Sequence, residues 1–379
     1  MDSPKIIRGD FNNPSDSGVI SHFQALSAAL SGTLGLGNIS GVALAITLGG
    51  PGAIFWMWVV AILGMSIKLI EVTLAMIYRN VDDPEKPYGG PMWVAERAFK
   101  EFYPSYARTG KILAIIFSIS VITSAITGGN MFQAWSVADI TYEYFGIEGW
   151  KSGLILSLIV GSVIIGGIKR IGVVTATIVP LMVFLYLLAG SYILITNIID
   201  IPDLLKLIVV SAFTETQATG AFIGGTAGSA FMFGMKRAIF SNEAGQGSSA
   251  IAHSAVKTNE PVREGLVAGI EPLIDTLVVC TFTALIILST GIWNRAPDVS
   301  FDKTPTIGND SKIWTFSNTR HSNANGKPGD PVIMLVKASK NFESNQNIHK
   351  VSGIIKKIGD HREITWSNFE SNTKPTIYL

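Results

Sequence analysis

The hydrophobic positions of this chain fall into long uncharged runs, and the first run is the most informative. No Asp, Glu, Lys or Arg occurs from residue 17 to residue 67. A transmembrane helix needs about 20 predominantly apolar residues, so two spans fit into this stretch, one on each side of Gly49–Gly52. Further runs follow along the chain. The pattern predicts seven spans, at residues 22–48, 52–78, 112–138, 152–168, 171–199, 216–235 and 264–292.

A glycine-rich polar stretch interrupts the first predicted span at its middle. Ser31–Gly41 reads SGTLGLGNISG. An irregular backbone at membrane depth is tolerated only where it is buried in protein or lines a polar cavity, because unpaired backbone groups are costly in hydrocarbon. Helices broken at the midplane are typical of transporters, which use them to hold a small polar solute or an ion.

The hydropathy pattern changes after the last predicted span. Residues 293–379 are polar and contain short alternating runs, such as Pro331–Val336 and Glu363–Trp366, that predict strands. The expected fold class is therefore an all-α polytopic membrane protein with a small, mostly β extramembrane C-terminal segment. The expected regions are an N-terminal segment (1–21), a transmembrane core (22–292) and a polar segment (293–379).

Composition agrees with an integral membrane protein, because only 15% of the residues are charged. The net charge of +1 gives no indication of a nucleic-acid partner. The single cysteine, Cys280, lies in an apolar run and excludes an internal disulfide framework. Residues 1–21 contain no run that resembles a signal peptide.

Lysine and arginine fall in every second connection between the predicted spans, which indicates the orientation because cytoplasmic loops concentrate these residues. Residues 1–21 are thus expected in the cytoplasm and residues 293–379 outside a bacterial-type plasma (inner) membrane. The basic connections are Arg79–Lys111, Lys169–Arg170, Lys236–Arg237 and Lys257–Arg263.

Five motifs, in order along the chain, resemble those of the alanine or glycine:cation symporter family. They are Gly37–Ala43, Gly49–Ala53, Tyr88–Met92, Gly129–Gln133 and Phe240–Ser248, and the resemblance covers about residues 18–292. It implies the LeuT-like inverted-repeat fold, here with the first repeat and part of the second. It also implies sodium-coupled uptake of alanine or glycine by alternating access, with no other cofactor; a proton is the alternative coupling ion.

The broken first span suggests a binding site for such a substrate. Unwinding around Gly35, Gly37 and Asn38 would offer backbone N–H groups, at the start of a half-helix, to a substrate carboxylate. Carbonyls of the first half-helix, with Thr33, Asn38 and Ser40, are the expected sodium ligands. The alternative is that the glycines only permit close helix packing.

The resemblance implies further substrate contacts on other spans. A second break at Thr219–Gly228 would bring Phe222, Gly224 and Gly225 to the opposite side of the pocket, although a glycine packing seam is the alternative. Gln133, on the third span, would hydrogen-bond substrate or another helix. These assignments follow from the resemblance and not from spacing.

Charged residues in or near the spans suggest structural and gating roles. Lys68 and Glu71 are three residues apart on one helix face and are expected to pair, with a proton relay as the less favoured interpretation. Glu271 and Asp275 are one turn apart and have no basic neighbour in sequence, so they are expected to face a cavity or a neighbour missing from this sequence, with a coupling role as the less favoured interpretation. Glu243 is expected to pair with a cytoplasmic arginine, Arg237, in an inner gate. His22 and His253 are too far apart in sequence to predict a metal site, and none is expected.

The family fold has more helices in its second repeat than this sequence supplies. We therefore expect either a symporter or a truncated, transport-incompetent fragment that acts at most as a membrane-anchored binding module. A passive channel is disfavoured because a pore needs rings of polar residues. No nucleotide loop or nucleophile constellation suggests an enzyme.

Overall fold

The computed structural model describes residues 3–13, 15–83, 85–214 and 227–294, together with strands between residues 307 and 377. The chain divides into two compact units, Met1–Asn294 and Arg295–Leu379. The first unit is helical and the second contains the strands, so each is described by itself.

The helices of the first unit follow the uncharged runs of the sequence. They are α1 (Ser3–Arg8), α2 (His22–Thr33), α3 (Leu36–Gly49), α4 (Gly52–Ile77), α5 (Pro91–Phe102), α6 (Ala107–Ser124), α7 (Phe132–Phe145), α8 (Gly149–Ile164), α9 (Gly167–Thr196), α10 (Ile201–Ser211), α11 (Ala227–Asn242), α12 (Ser248–His253), α13 (Pro261–Ala268) and α14 (Thr281–Ser289). Two π-helical segments, Ala125–Met131 and Leu273–Cys280, continue α6 into α7 and lead into α14.

Four helical stretches among the described residues are long and apolar enough to cross a membrane: Gly52–Ile77, Pro104–Phe145, Gly167–Thr196 and Pro261–Ser289. The bent pair α2 and α3 makes a fifth if it counts as one span. The protein is thus a multi-pass membrane protein. Two of the seven predicted spans are not among these stretches. The span predicted at 152–168 corresponds to α8, which is apolar but shorter, and residues 216–226 of the span predicted at 216–235 lie outside the described residues.

The sequence at each end of α2 explains where that helix begins and ends. Ser21 caps the start, because its Oγ accepts the N–H of Gln24 while the Gln24 side chain accepts the N–H of Ser21. At the other end the backbone becomes extended at Leu34 and Gly35, and α3 begins one residue later. The break falls within the glycine-rich stretch that interrupts the hydrophobic run.

Helix α4 is central to the first unit and packs against α3, α10, α11 and α13. Its buried core includes Ala53, Ile54 and Met57, which pack with Val42 and Ile46 of α3. Small residues allow close approach at these contacts. A Cβ added at Gly265 of α13 would lie 2.7 Å from the Leu69 carbonyl oxygen of α4.

Arg79 ties together the chain segments at the C-terminal end of α4. Its guanidinium donates hydrogen bonds to the carbonyl oxygens of Ser17, Ser254, Val256 and Thr258, at 2.5 to 3.2 Å. Arg79 is buried, and burial lowers the pKa of its guanidinium from the ordinary value. An arginine that counts as a loop charge in the sequence is thus a structural residue.

The second unit contains two antiparallel sheets. The described strands are β1 (Ile307–Asp310), β2 (Ile313–Phe316), β3 (Thr319–His321), β4 (Pro331–Lys337), β5 (Ile348–Ile358), β6 (His361–Trp366), β7 (Phe369–Glu370) and β8 (Thr376–Ile377). One sheet has the order β1–β2–β7, and the other has the order β3–β6–β5–β4–β8. Val351 and Ile364, which lie on neighbouring strands of the larger sheet, are fully buried. The extramembrane location of this unit stays a prediction.

Candidate functional site

The candidate site is centred on the break between α2 and α3, where the helix axis bends by 42°. Gly35 is the N-cap of α3, and its N–H donates to Asn38 Oδ1 at 3.1 Å. The Asn38 N–H donates in turn to the Gly35 carbonyl at 3.0 Å. Asn38 thus closes the first turn of the second half-helix. The first N–H groups of a helix have no partner within the helix, and they form the positive end of the helix dipole.

The other end of the Asn38 amide reaches a buried carboxylate. Asn38 Nδ2 donates to Asp275 Oδ1 at 2.5 Å, and Asp275 Oδ2 accepts from Ser241 Oγ at 2.7 Å and from Thr276 Oγ1 at 2.8 Å. These four side chains are at most 1% exposed. Among the described residues, no Lys, Arg or His forms an ion pair with Asp275. A carboxylate with hydroxyl groups beside it is an oxygen-rich, negatively charged environment that suits a hard cation.

Gln133 lies next to the same break. A Cβ at Gly35 would be 3.5 Å from Gln133 Nε2, so the amide packs directly against the glycine. Gln133 follows the π-helical segment Ala125–Met131 by two residues, and Asp275 lies within the other π-helical segment. Such segments are frequent at functional sites because they redirect side chains. The structure therefore brings two predicted substrate groups, Gly35 and Gln133, together.

Arg237 approaches the break from α11. Its Nη2 donates to the carbonyl oxygen of Gly37, and its guanidinium lies 4.8 Å from the centre of the Phe240 ring. Glu243, the predicted gating partner of Arg237, accepts a hydrogen bond from Ser248 Oγ instead. The two residues thus contact different groups in this conformation, and the gating role of both stays a prediction.

The remaining predicted ligands are placed in different environments. Thr33 is buried at the end of α2, where its hydroxyl donates to the Leu30 carbonyl at 3.4 Å. Ser40 is exposed, and its hydroxyl donates to the Leu36 carbonyl at 2.7 Å within α3. Phe222, Gly224 and Gly225 of the predicted second break lie outside the described residues.

A buried ion pair connects α4 with the helix that carries Asp275. Lys68 Nζ lies 2.8 Å from Glu271 Oε2, and both side chains are fully buried. Lys68 was expected to pair with Glu71, so that prediction is corrected. Glu71 is half-buried and accepts the N–H of Gly245 at 2.9 Å. The packing on α4 of α13 and of the π-helical segment that follows it decides the pairing, and a pattern within one helix does not reveal it.

Two histidines distant in sequence meet one carboxylate in the structure. Glu264 contacts Nδ1 of His22 through one oxygen and Nδ1 of His253 through the other. His253 Nε2 lies 2.5 Å from Glu271 Oε1, which continues the chain of contacts to Lys68. Sequence reasoning missed this arrangement, although each member is an ionisable residue in or beside an apolar run. Among the described residues, no group of three or more His, Cys, Asp or Glu side chains is arranged to hold a metal ion.

Comparison with known proteins identifies the relatives of this chain. A family model described as "Sodium:alanine symporter family" matches residues 3–307. The sodium/alanine symporter AgcS of Methanococcus maripaludis is 45% identical over 288 residues, which cover 76% of this chain and 62% of the relative.

Two relatives from Bacillus subtilis are similar at a lower identity. The putative sodium/proton-dependent alanine carrier protein YrbD is 39% identical over 292 residues, which are 77% of this chain and 57% of the relative. The probable sodium/glutamine symporter GlnT is 39% identical over 271 residues, which are 71% of this chain and 53% of the relative. The chain thus spans between about half and three fifths of the length of these curated relatives.

Proposed function

The chain belongs to the sodium:alanine symporter family, and we propose that it performs sodium-coupled symport of a small neutral amino acid, alanine or glycine, by alternating access. The names of AgcS and YrbD, which refer to sodium and alanine, support this substrate class. The proposed core is residues 22–292, with residues 1–21 in the cytoplasm of a bacterial-type cell and residues 293–379 outside.

The observation that carries the proposal is the capped break between α2 and α3. Its buried polar groups are Asn38 and Asp275, which a simple packing seam does not require. The N–H groups at the start of α3, around Gly37 and next to the capped Gly35, are proposed to receive the substrate carboxylate, because the positive end of the helix dipole favours an anion. Gln133, packed on Gly35, is proposed to orient the substrate by a hydrogen bond.

The coupling ion is proposed to bind on the Asp275 side of the break. Asp275 supplies the negative charge, and the hydroxyl oxygens of Ser241 and Thr276 lie within hydrogen-bond distance of its carboxylate. Thr33 and the carbonyl groups at the end of α2 complete the proposed oxygen environment. A cation bound there raises substrate affinity only if it favours the substrate-competent conformation, which is the thermodynamic requirement for coupling.

The second wall of the pocket and the inner gate complete the proposal. Phe222, Gly224 and Gly225 are proposed to face the substrate by analogy with the inverted-repeat fold. Arg237 and Glu243 are proposed to gate the cytoplasmic side. The contact of Arg237 with the Gly37 carbonyl gives this gate a direct connection to the break.

A direct test measures sodium-driven uptake of radiolabelled alanine by the chain in proteoliposomes. We expect uptake in the unaltered chain and its loss, by at least about tenfold, in Asn38→Leu, because leucine removes the cap and the donor to Asp275. Asn197→Leu is the matched control, since Asn197 follows the last residue of α9 and, within the described part of the chain, its amide donates to the Ile193 carbonyl and the Thr196 hydroxyl of the same helix. Equal uptake in Asn38→Leu and in the unaltered chain would rule out the proposed role of the break.

A further inference from the structure

The ionisable side chains between α2, α4, α12 and α13 take no part in the proposed substrate site. His253 is their central member, and both of its ring nitrogens contact carboxylates. Nδ1 contacts Glu264, and Nε2 lies 2.5 Å from Glu271. All three side chains are fully buried, so water does not separate the charges.

The two contacts of His253 determine how many protons the group holds. A carboxylate oxygen only accepts hydrogen bonds, so each ring nitrogen of His253 must carry a proton if both glutamates are ionised. A neutral ring would satisfy both contacts only if one glutamate carried the second proton. Either way, two protons lie within this group of three side chains. Loss of one proton would leave a nitrogen lone pair against a carboxylate oxygen in a buried site.

The proton on His253 supplies a positive charge that the two buried carboxylates face. Two carboxylates, Glu264 and Glu271, face two cations, Lys68 and protonated His253. His22 is a further member of the group: its Nδ1 contacts Glu264, and its Nε2 lies 2.9 Å from the side-chain oxygen of Asn12. Removal of the His253 proton would take a positive charge away from two buried carboxylates, which is energetically costly.

We propose that His253, between Glu264 and Glu271, is a proton-binding site, and that the bound proton holds α2, α4, α12 and α13 together. Each helix contributes a member or a direct contact: His22 from α2, Lys68 from α4, His253 from α12 and Glu264 from α13. The conformation described is the proton-bound one. A conformation that separates α12 from α13 would release the proton, because His253 would lose its carboxylate partners.

The charged and polar groups around His253 favour a proton on its ring. Ser249 Oγ donates to both oxygens of Glu271 at 2.9 Å, which keeps that carboxylate oriented. Arg79 and the half-buried Glu71 lie further out and influence Glu264 and Glu271 through charge alone. Burial by itself would lower the pKa of His253, but the hydrogen bonds and charges of its two glutamates raise it to about 9.

The direction of the pH dependence follows from this raised pKa. The stabilisation is fully present below the ordinary histidine pKa of about 6.5 and is lost as the pH rises through about 9. We therefore expect the thermal stability of the purified protein to fall between pH 7 and pH 10. A thermal stability that stays constant from pH 7 to pH 10 would contradict a stabilising proton on His253.

The protonation state is tested by nitrogen-15 NMR of histidine rings in the reconstituted full chain, which has five histidines. At pH 8 an ordinary histidine ring is about 3% protonated. We expect one ring to carry protons on both nitrogens at pH 8 and to titrate near pH 9. The absence of any doubly protonated ring at pH 8 would overturn the proposal without the need for a variant.

The assignment is tested by Glu271→Gln, which removes one carboxylate from His253 and leaves the contact between Glu264 and His22. We expect the titration midpoint of that ring to fall by about one pH unit or more, which is at least tenfold in proton affinity. Glu71→Gln is the matched control, because Glu71 contacts the Gly245 N–H and acts on Glu271 only through its charge, so we expect it to move the midpoint much less than Glu271→Gln does. An unchanged midpoint in Glu271→Gln would assign the proton elsewhere.

The proton site goes beyond the proposed symport, and its test needs no transport. Sodium-driven alanine uptake with a neutral His253 at pH 8 would overturn only the proton site. A doubly protonated His253 in a chain without uptake would leave the proton site standing and count against the symport.

Discussion

Asn38 forms hydrogen bonds through both the oxygen and the nitrogen of its side-chain amide, and these bonds fix the break between α2 and α3. The oxygen accepts the Gly35 N–H and closes the start of α3, while the nitrogen donates to Asp275 on another helix. The geometry of the second half-helix is thus tied to a buried negative charge. Sequence reasoning selected Asn38 because it is a polar residue within a glycine-rich stretch at membrane depth.

At the residue scale, Asp275→Asn tests whether the buried charge binds the coupling ion. Asparagine keeps the size of the side chain but removes the negative charge that would attract sodium. We expect the half-saturating sodium concentration for alanine uptake to rise about tenfold or more, a change of about 1.4 kcal/mol per tenfold. The measurement is uptake against sodium concentration in proteoliposomes.

The control for this change is Asp200→Asn, at an exposed position after α9. We expect no change in sodium dependence there. If Asp275→Asn had the same half-saturating sodium concentration as the unaltered chain, Asp275 would not be an ion ligand.

Residue partners from distant parts of the chain were the least predictable feature. Lys68 was expected to pair with Glu71, because a pattern within one helix suggests partners three or four residues apart. The ion pair is instead made with Glu271, over 200 residues further along. His22 and His253 each looked isolated, and only the packing of α12 and α13 brings both to Glu264.

At the element scale, the described helices follow the hydrophobic runs because long uncharged segments have few alternatives in a membrane. The break in the first span was predictable from its glycines and polar residues. The two π-helical segments were not, since a pattern of apolar residues does not distinguish i+4 from i+5 hydrogen bonding over one or two turns. The glycine pair Gly128–Gly129 marks one segment, whereas no comparable signal marks Leu273–Cys280.

Close packing of α13 on α4 is tested by Gly265→Ala. An added methyl group would lie 2.7 Å from the Leu69 carbonyl and would push the helices apart. We expect a loss of about 1 to 3 kcal/mol in stability, which is typical of overpacking, measured as a lower midpoint of thermal unfolding in detergent.

Gly161→Ala in α8 is the control for this prediction, because no atom of the described residues lies within 4 Å of a Cβ at that position. We expect this change to be neutral or slightly stabilising, since alanine is the better helix former. Equal midpoints for the two variants would mean that the α4–α13 contact adjusts without cost.

At the scale of the whole molecule, the proposed orientation rests on the distribution of basic residues and is tested directly by a labelling experiment. Cys280 is 1% exposed, so the unaltered chain gives a low background with a membrane-impermeant maleimide. Asp10 and Lys356 are exposed positions in the two units. We expect Lys356→Cys to react on intact cells and Asp10→Cys to react only after the membrane is permeabilised.

The reverse pattern of labelling would invert the proposed orientation, and labelling of both positions on intact cells would contradict an odd number of spans. The unaltered chain is the control for reaction at Cys280. The experiment thus tests two expectations together: that the number of crossings between these positions is odd, and that the positive-inside rule gives the orientation.

The π-helical segment before Gln133 has a consequence for how this protein tolerates insertions and deletions. A π-turn contains one more residue than an α-turn, and each residue advances an α-helix by about 100°. An α-helix that is one residue shorter turns by nearly the same total angle as this π-helical segment, so deletion of one residue within 125–131 would restore a continuous α-helix without rotating α7 against α6. Gln133 would then keep its position beside Gly35. The segment between α6 and α7 is thus a place where the chain can lose a residue without disturbing the site.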